Sequence, residues 1–262
     1  MKQTFSFIGA GNMASAIITG LKGNKICIYD KNTHAYNKFS DTDCMFATDI
    51  PSCVEFGSVV FLCVKPQNFN EILPILAECD LNGKIIVSIA AGITLSRIEN
   101  YLPNTPVIRT IPNTPLLIGK GVTGICRNRY VNDKLFSEIC RLFSCLGEII
   151  VVREEEINAI TAATSSAPAY VYLFIKAMAD AGKELGITDP DLIKHICDTV
   201  IGSATLLRNS NKTPDELIQS VKSPNGTTER ALNVFESNDF KGIVYEAMKE
   251  CAERAKELSE QQ

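Results

Sequence analysis

The stretch Thr4-Phe5-Ser6-Phe7-Ile8-Gly9-Ala10-Gly11-Asn12-Met13-Ala14-Ser15-Ala16-Ile17-Ile18-Thr19-Gly20 decides the fold. An apolar strand runs directly into Gly9-x-Gly11-x-x-Ala14, and a helical pattern begins at once. Strand, tight glycine turn and helix in that order are what a dinucleotide-binding βαβ unit requires. Gly9 permits the sharp turn, Gly11 has no Cβ to hold a pyrophosphate away from the backbone, and Ala14 lets the helix lie close on the strand. The N–H groups at the helix start face the anion.

The pattern continues outward from this unit. Strand candidates follow at Lys25–Tyr29, Ser58–Val64, Lys84–Ile89, Pro106–Ile111, Val122–Cys126 and Glu148–Val152, with helical stretches at 12–22, 67–79 and 132–144. Such alternation predicts an α/β fold: a mostly parallel sheet with helices on both faces, a Rossmann-type domain over residues 1–153. Val59-Val60-Phe61-Leu62-Cys63-Val64 is nearly all apolar, as a central strand covered on both sides must be. Beyond residue 153 strand signals stop. Helical periodicity takes over at 154–163, 169–186, 190–208, 214–221, 226–237 and 240–259, which predicts an all-α domain over 154–262. Tyr170, Leu173, Phe174, Ala177, Met178, Ala181 and Leu185 form one apolar face at helical spacing. A helical domain this small needs further burial, so it is read as a homodimerisation domain, with a higher homo-oligomer as the further option.

Composition narrows the function classes. The chain is 45 % hydrophobic and 21 % charged, the balance of an ordinary globular protein rather than a disordered or collagenous one. Its net charge of −4 and scattered basic residues offer no footprint for nucleic acid or an anionic membrane. No run of about 18 uncharged apolar residues occurs, and the first strand begins close to Met1, so a soluble, cytoplasmic protein is expected. Ten cysteines contain no C-x-x-C pair, and Cys27 and Cys63 sit inside apolar strands, as reduced thiols used as small hydrophobes do. With only His34 and His195 and no Cys/His cluster, no metal site is expected.

In an open parallel sheet the ligand lies at the carboxyl ends of the strands. Three segments occupy such ends: Gly9–Ala14, Cys63-Val64-Lys65-Pro66-Gln67 and Ser88-Ile89-Ala90-Ala91-Gly92, whose small residues let a flat ring approach the backbone. Asp30 ends the second strand about twenty residues after Gly9, where an acidic side chain accepts from the adenosine ribose hydroxyls and repels a 2′-phosphate. Lys31 and Asn32 follow it and attract a phosphate, so the choice of NADPH or NADH stays open. In the helical half, Ser165-Ser166-Ala167-Pro168-Ala169-Tyr170 starts a long helix through a proline. Ser223-Pro224-Asn225-Gly226-Thr227-Thr228 is a turn before another helix, whose N–H groups form either a cap or a carboxylate receptor.

Together with Val64-Lys65-Pro66-Gln67 and Arg109-Thr110-Ile111-Pro112-Asn113-Thr114-Pro115, these segments make the chain resemble the pyrroline-5-carboxylate reductase family along nearly its whole length. The resemblance implies reduction of the C=N bond of 1-pyrroline-5-carboxylate to L-proline with NADPH or NADH. It implies that Gly9, Gly11, Asn12 and Met13 line the pyrophosphate, and that Val64, Lys65, Pro66, Ala90 and Ala91 approach the nicotinamide. Substrate would be met by Glu154, Ser166, Ser223, Gly226, Thr227 and Thr228, with Thr228 also the catalytic residue, its hydroxyl near the ring nitrogen to hydrogen-bond it, relay the proton or position the substrate. A protonated imine is already electrophilic and becomes a neutral amine as hydride arrives, so the scarcity of histidine suits this reaction. Three positions depart from the family: Ser165-Ser166-Ala167-Pro168 stands for Gly-Ser-Gly-Pro, Asn225-Gly226 for Gly-Gly, and the family's ribose-site pattern is unmatched near Asp49-Ile50.

Two other readings account for fewer residues. A β-hydroxyacid dehydrogenase needs a helix lysine as general base, and Lys176 and Lys183 stand in no recognisable motif. A nucleotide-sensing protein without turnover would leave the 223–228 turn idle.

Overall fold

The computed structural model describes residues 3–260. They divide into two compact units, one of residues up to Ser166 together with Lys249 onward, the other Ala167–Met248.

The first unit is built on β1 (Thr4–Ile8), α1 (Asn12–Gly20), β2 (Lys25–Tyr29), β3 (Met45–Phe46), α2 (Ile50–Phe56), β4 (Val59–Leu62) and α3 (Phe69–Ala77). It continues through β5 (Ile85–Ser88), α4 (Leu95–Tyr101), β6 (Val107–Ile111), β7 (Gly121–Arg127), α5 (Asp133–Ser144), β8 (Gly147–Val151) and the single turn α6 (Ile157–Ile160). The eight strands lie in the order β3-β2-β1-β4-β5-β6-β7-β8. All neighbours are parallel except β6 and β7. The order reverses between β1 and β4, which is the switch point where such a sheet opens a crevice.

Strand alternation feeds two apolar layers. Phe7 and Phe61 point to one face, their rings stacked at 4.6 Å, with Ile17 and Phe143 packed around them. Ile8 and Leu62, the next residues along the same strands, point to the other face among Leu73, Leu76 and Ile98. This arrangement is why β4 reads as a continuous apolar run.

All seven strands expected from the sequence form. β3 was not foreseen, because two half-exposed residues pairing Cys27 with Met45 and Ile28 with Phe46 carry no measurable period. The seven-residue helices α2 and α4 were also missed. Each is too short for helical periodicity, and only its N-cap announces it: Asp49 accepts from Ser52 N–H at 2.8 Å and Thr94 from Arg97 N–H at 3.2 Å.

The sequence boundary at residue 153 follows the last strand, whereas packing carries the first unit on to Ser166. Ile157 is fully buried in the second apolar layer. Beyond it, Asn113 Nδ2 donates to Thr164 O at 3.0 Å and Ser165 Oγ to Pro112 O at 3.0 Å. The expected helix over 154–163 is broken into a tight turn at Glu154–Glu156, the turn α6 and a wide turn at Thr161–Ser165, closed by Ser166 N–H donating to Thr161 O five residues back. Wide turns of this kind recur at functional sites.

The second unit holds α7 (Ala167–Glu184), α8 (Leu192–Asn209), α9 (Pro214–Val221), α10 (Thr227–Ser237) and the first part of α11 (Phe240–Glu260). Its own core is small: Ala179, Leu192 and Ile196, with Ile175 against them. Among the described residues no helix is long and apolar enough to cross a membrane.

Candidate active site

The carboxyl ends of β1, β2 and β4 open into a cleft of about 510 Å³ lined by Gly9, Gly11, Asp30, Val64 and Lys65, among others. Gly9 sits at φ +104° and donates its N–H to Tyr29 O at 2.7 Å. A Cβ there would meet Cys63 C and O at 2.7 Å, so the turn crosses the end of β4 only because the residue is glycine. At Gly11 a Cβ would meet nothing within 4 Å. One glycine is therefore required by protein backbone, and the other faces open space at the N-terminus of α1. This cradle fits the pyrophosphate of a dinucleotide.

Asp30 braces that cradle. Its Oδ2 accepts from Ala10 N–H at 2.7 Å and its Oδ1 from Asn32 N–H at 2.8 Å. Both carboxylate oxygens thus hold the glycine turn and the turn after β2. Tyr36 supports the same corner, its hydroxyl 3.0 Å from Asp30 N and its ring stacked on Phe46 at 4.4 Å.

The other expected cofactor residues are distributed more widely. Asn12 is exposed in the first turn of α1 and accepts from Lys38 Nζ at 2.8 Å. Met13 packs against the first apolar layer. Pro66 opens the tight turn leading into α3. Ala90 is buried at the end of β5 and Ala91 half-buried beside it. Next to them, Leu258 of α11 lies so close over Gly92 that an added Cβ would sit 2.9 Å from Leu258 Cβ. Gln67, the last residue of the quoted Cys63–Gln67 segment, also lines the cleft, as do Asn68 and Glu71, which had no motif to announce them. Burial raises the Cys63 thiol beside the cleft far above its ordinary range. In β7, burial pushes Cys126 up to about 12. Both stay protonated at neutral pH and serve as packing.

Glu154, an expected substrate residue, is engaged within the protein. Its Oε1 accepts from Arg109 Nη1 at 2.9 Å and from Leu95 N–H, the first residue of α4, at 2.7 Å. Arg109 is 2 % exposed, and its Nε and Nη2 have no hydrogen-bond partner. Arg109, which the sequence reading quoted without a role, thus fixes through Glu154 the helix that follows Ala90–Gly92. Ser166, directly after the wide turn, accepts from Cys251 Sγ of α11 at 3.3 Å.

The 223–228 turn belongs to the second unit. Asn225 takes φ +59°, so asparagine supplies the left-handed backbone where the family writes glycine. Gly226 caps α10, and Arg230 N–H to Gly226 O is the first helical bond. The N–H groups of Thr227 and Thr228 precede it and have no partner within the helix. Thr227 is exposed and Thr228 half-buried. Glu229, which no sequence signal marked, closes the turn: it accepts from Asn225 N–H at 2.7 Å and pairs with Lys222 at 3.2 Å. Those two contacts, the N–H first, hold its carboxyl below the usual range. Among the described residues no group of three or more His, Cys, Asp or Glu side chains gathers as a metal site does.

Comparison with known proteins agrees with this geometry. Residues 154–258 match the family model for pyrroline-5-carboxylate reductase dimerisation, and residues 4–92 match that for NADP oxidoreductase, coenzyme F420-dependent. The pyrroline-5-carboxylate reductase of Pseudomonas aeruginosa is 36 % identical over 98 % of this chain and 97 % of its own; that of Escherichia coli is 32 % identical over 99 % of each. Among solved structures, the 1-pyrroline-5-carboxylate reductase of Streptococcus pyogenes superposes with a TM-score of 0.91 at 29 % identity, covering 97 % of this chain and 98 % of that one. The Plasmodium falciparum enzyme, solved with NADP bound, gives 0.90 at 26 % identity over 99 % of each. With a glycine cradle at one end, a Ser-Pro-Asn-Gly-Thr-Thr helix cap at the other and relatives of this identity along its length, the chain belongs to the pyrroline-5-carboxylate reductase family.

Proposed function

We propose that this protein reduces the C=N bond of 1-pyrroline-5-carboxylate to give L-proline, the last step of proline synthesis, with NAD(P)H as reductant. The observation that carries the reading is that the Gly9–Gly11 cradle and the 223–228 helix cap stand in one chain whose family match is nearly end to end. Bound NAD(P)H supplies the hydride at nicotinamide C4. The chain's own residues then have three tasks. Gly9, Gly11 and the first turn of α1 hold the pyrophosphate. Val64, Lys65, Pro66, Ala90 and Ala91 form the nicotinamide side, and the Arg109–Glu154–Leu95 linkage keeps the last part of that wall in place.

The substrate carboxylate is assigned to the N–H groups at the start of α10, with Ser223, Gly226 and Thr227 around it. Thr228 Oγ1 accepts from the N–H of the protonated ring nitrogen and holds the imine for attack, its own O–H turning to the lone pair that appears there as the amine forms. Little else is needed, because the charge on the imine disappears rather than develops. Glu154 acts in this reading through Arg109 and α4.

The family's dimerisation model covers the helical unit, which supports homo-oligomerisation. Our reading is more specific: a homodimer through α7, α8, α10 and α11, in the cytoplasm. It is supported by the apolar side chains these helices leave exposed, Leu173 at 68 %, Ile201 at 63 % and Leu206 at 61 %, and by ten unpaired cysteines. The dehydrogenase alternative has no positioned base: Lys176 is exposed and paired with Asp180 along α7, and Lys183 is exposed near its end. The purified protein with pyrroline-5-carboxylate and either nicotinamide cofactor should oxidise the cofactor. No oxidation of NADH or NADPH would overturn the assignment.

A further inference from the structure

We propose that Lys38 receives the 2′-phosphate of NADPH and gives this enzyme a preference for NADPH over NADH. The inference rests on the dinucleotide reading of the cleft and adds the residue that discriminates. In a fold of this type the ribose of the adenosine half lies beside the acidic residue ending β2, and a nearby cation accommodates a 2′-phosphate. Around that corner Asp30, Lys31 and Glu71 line the cleft, and Lys38 reaches Asn12 next to Gly11.

Asp30 lines the cleft but is not a bare acceptor: each of its oxygens already accepts one N–H, from Ala10 and from Asn32. Part of its negative charge is compensated by those donors, which weakens its repulsion of a phosphate. Lys31, the residue next to it, is drawn to the cleft's opposite wall, where its Nζ lies 2.5 Å from Glu71 Oε2. That pair cancels its charge locally. Lys38 differs from both. It extends from the turn after β2 to Asn12 Oδ1 at 2.8 Å, at the first residue of α1, and no carboxylate among the described residues pairs with it.

Its ammonium is therefore held at the junction of the glycine cradle and the β2 turn by a neutral amide oxygen. Exchanging that amide for a phosphate oxygen replaces a neutral acceptor with a charged one, and charge-assisted bonds are about twice as strong. NADH brings no such group to that corner.

The test is calorimetric titration of the purified protein, without substrate, with NADPH and NADH. It compares the wild type with Lys38→Met, Lys38→Arg and Glu71→Gln. Wild type should bind NADPH more tightly. Lys38→Met should weaken NADPH about tenfold while moving NADH less than twofold, the size of one charge-assisted contact. Lys38→Arg should restore the preference, and raising ionic strength should erode it in wild type but not in Lys38→Met. Glu71→Gln, which releases Lys31, should tighten NADPH selectively. Equal losses for both cofactors in Lys38→Met would place Lys38 at the pyrophosphate and overturn the proposal, as would no loss for either. If wild type binds neither dinucleotide, the cofactor reading itself fails, a result separable from the first two.

Discussion

The two units of this chain bury their apolar residues in opposite ways. In the first, Phe7, Phe61, Leu62, Leu73 and Ile98 are fully enclosed on the two sides of one sheet. In the second, three buried side chains make the whole core, while Val171, Tyr172, Leu173, Phe174, Ile201 and Leu206 face outward. The first unit has its stability within itself. The second has left a large part of its hydrophobic free energy for another surface, which is what a dimerisation domain does. In the proposed reading the chemistry divides along the same line: the Gly9–Gly11 turn is braced within the first unit by Asp30, and the 223–228 turn is carried among helices with exposed apolar side chains.

Four substitutions test this contrast. The largest effect is expected inside the first unit. Glu154→Ala strands the Arg109 guanidinium in the interior without a counter-charge, and breaking a buried pair from one side costs ~3–5 kcal/mol. The urea midpoint followed by far-ultraviolet circular dichroism should fall accordingly. Arg109→Met combined with Glu154→Leu should recover most of the loss; a midpoint unmoved by Glu154→Ala would mean that the pair does not hold the fold.

Next is Thr228→Ala in the second unit. It should lower kcat on the order of 10²-fold, the size of a lost proton or hydrogen-bond contact in the transition state. Calorimetric cofactor affinity should stay the same. If turnover is unchanged, Thr228 neither hydrogen-bonds nor positions the imine.

Gly9→Ala comes third. The methyl would press on Cys63 and Val64 backbone at 2.7–2.9 Å, and a left-handed non-glycine residue adds about 1–3 kcal/mol of strain. Both cofactors should lose affinity together, without any change in oligomeric state. A variant that kept its affinity would show that the turn has another way across β4.

The smallest effect tests the outward-facing half. Leu206→Glu should weaken self-association by ~1–2 kcal/mol, roughly tenfold, because part of a leucine's burial is lost at the interface. Sedimentation at several concentrations measures it. Unchanged association would remove α8 from the interface.

Much of this was legible in the residues. The glycine fingerprint, the alternation of strands with helices and the loss of strand character after residue 153 follow from periodicity and turn chemistry, which act over a few neighbours. The family motifs were equally visible, since Ser223–Thr228 and Arg109–Pro115 are contiguous. What was missed depends on contacts across the chain. Arg109 meets Glu154 only when β6 lies beneath the Glu154 turn, and Cys251 meets Ser166 only when α11 returns to the first unit. Asp30 was read as a partner for ribose; what the sequence did not show is that its two oxygens, while lining the cleft, also accept the N–H groups of Ala10 and Asn32.

The sequence by itself therefore determined the two fold classes, the place of the cofactor and the family, because each is written in local pattern. Only the tertiary structure decided how the charges are allotted. Lys31 is drawn to Glu71, Lys38 to Asn12 and Glu154 to Arg109. Electrostatic partnership depends on distance in space, and residues 31 and 71, 12 and 38, or 109 and 154 become neighbours only after the sheet has formed.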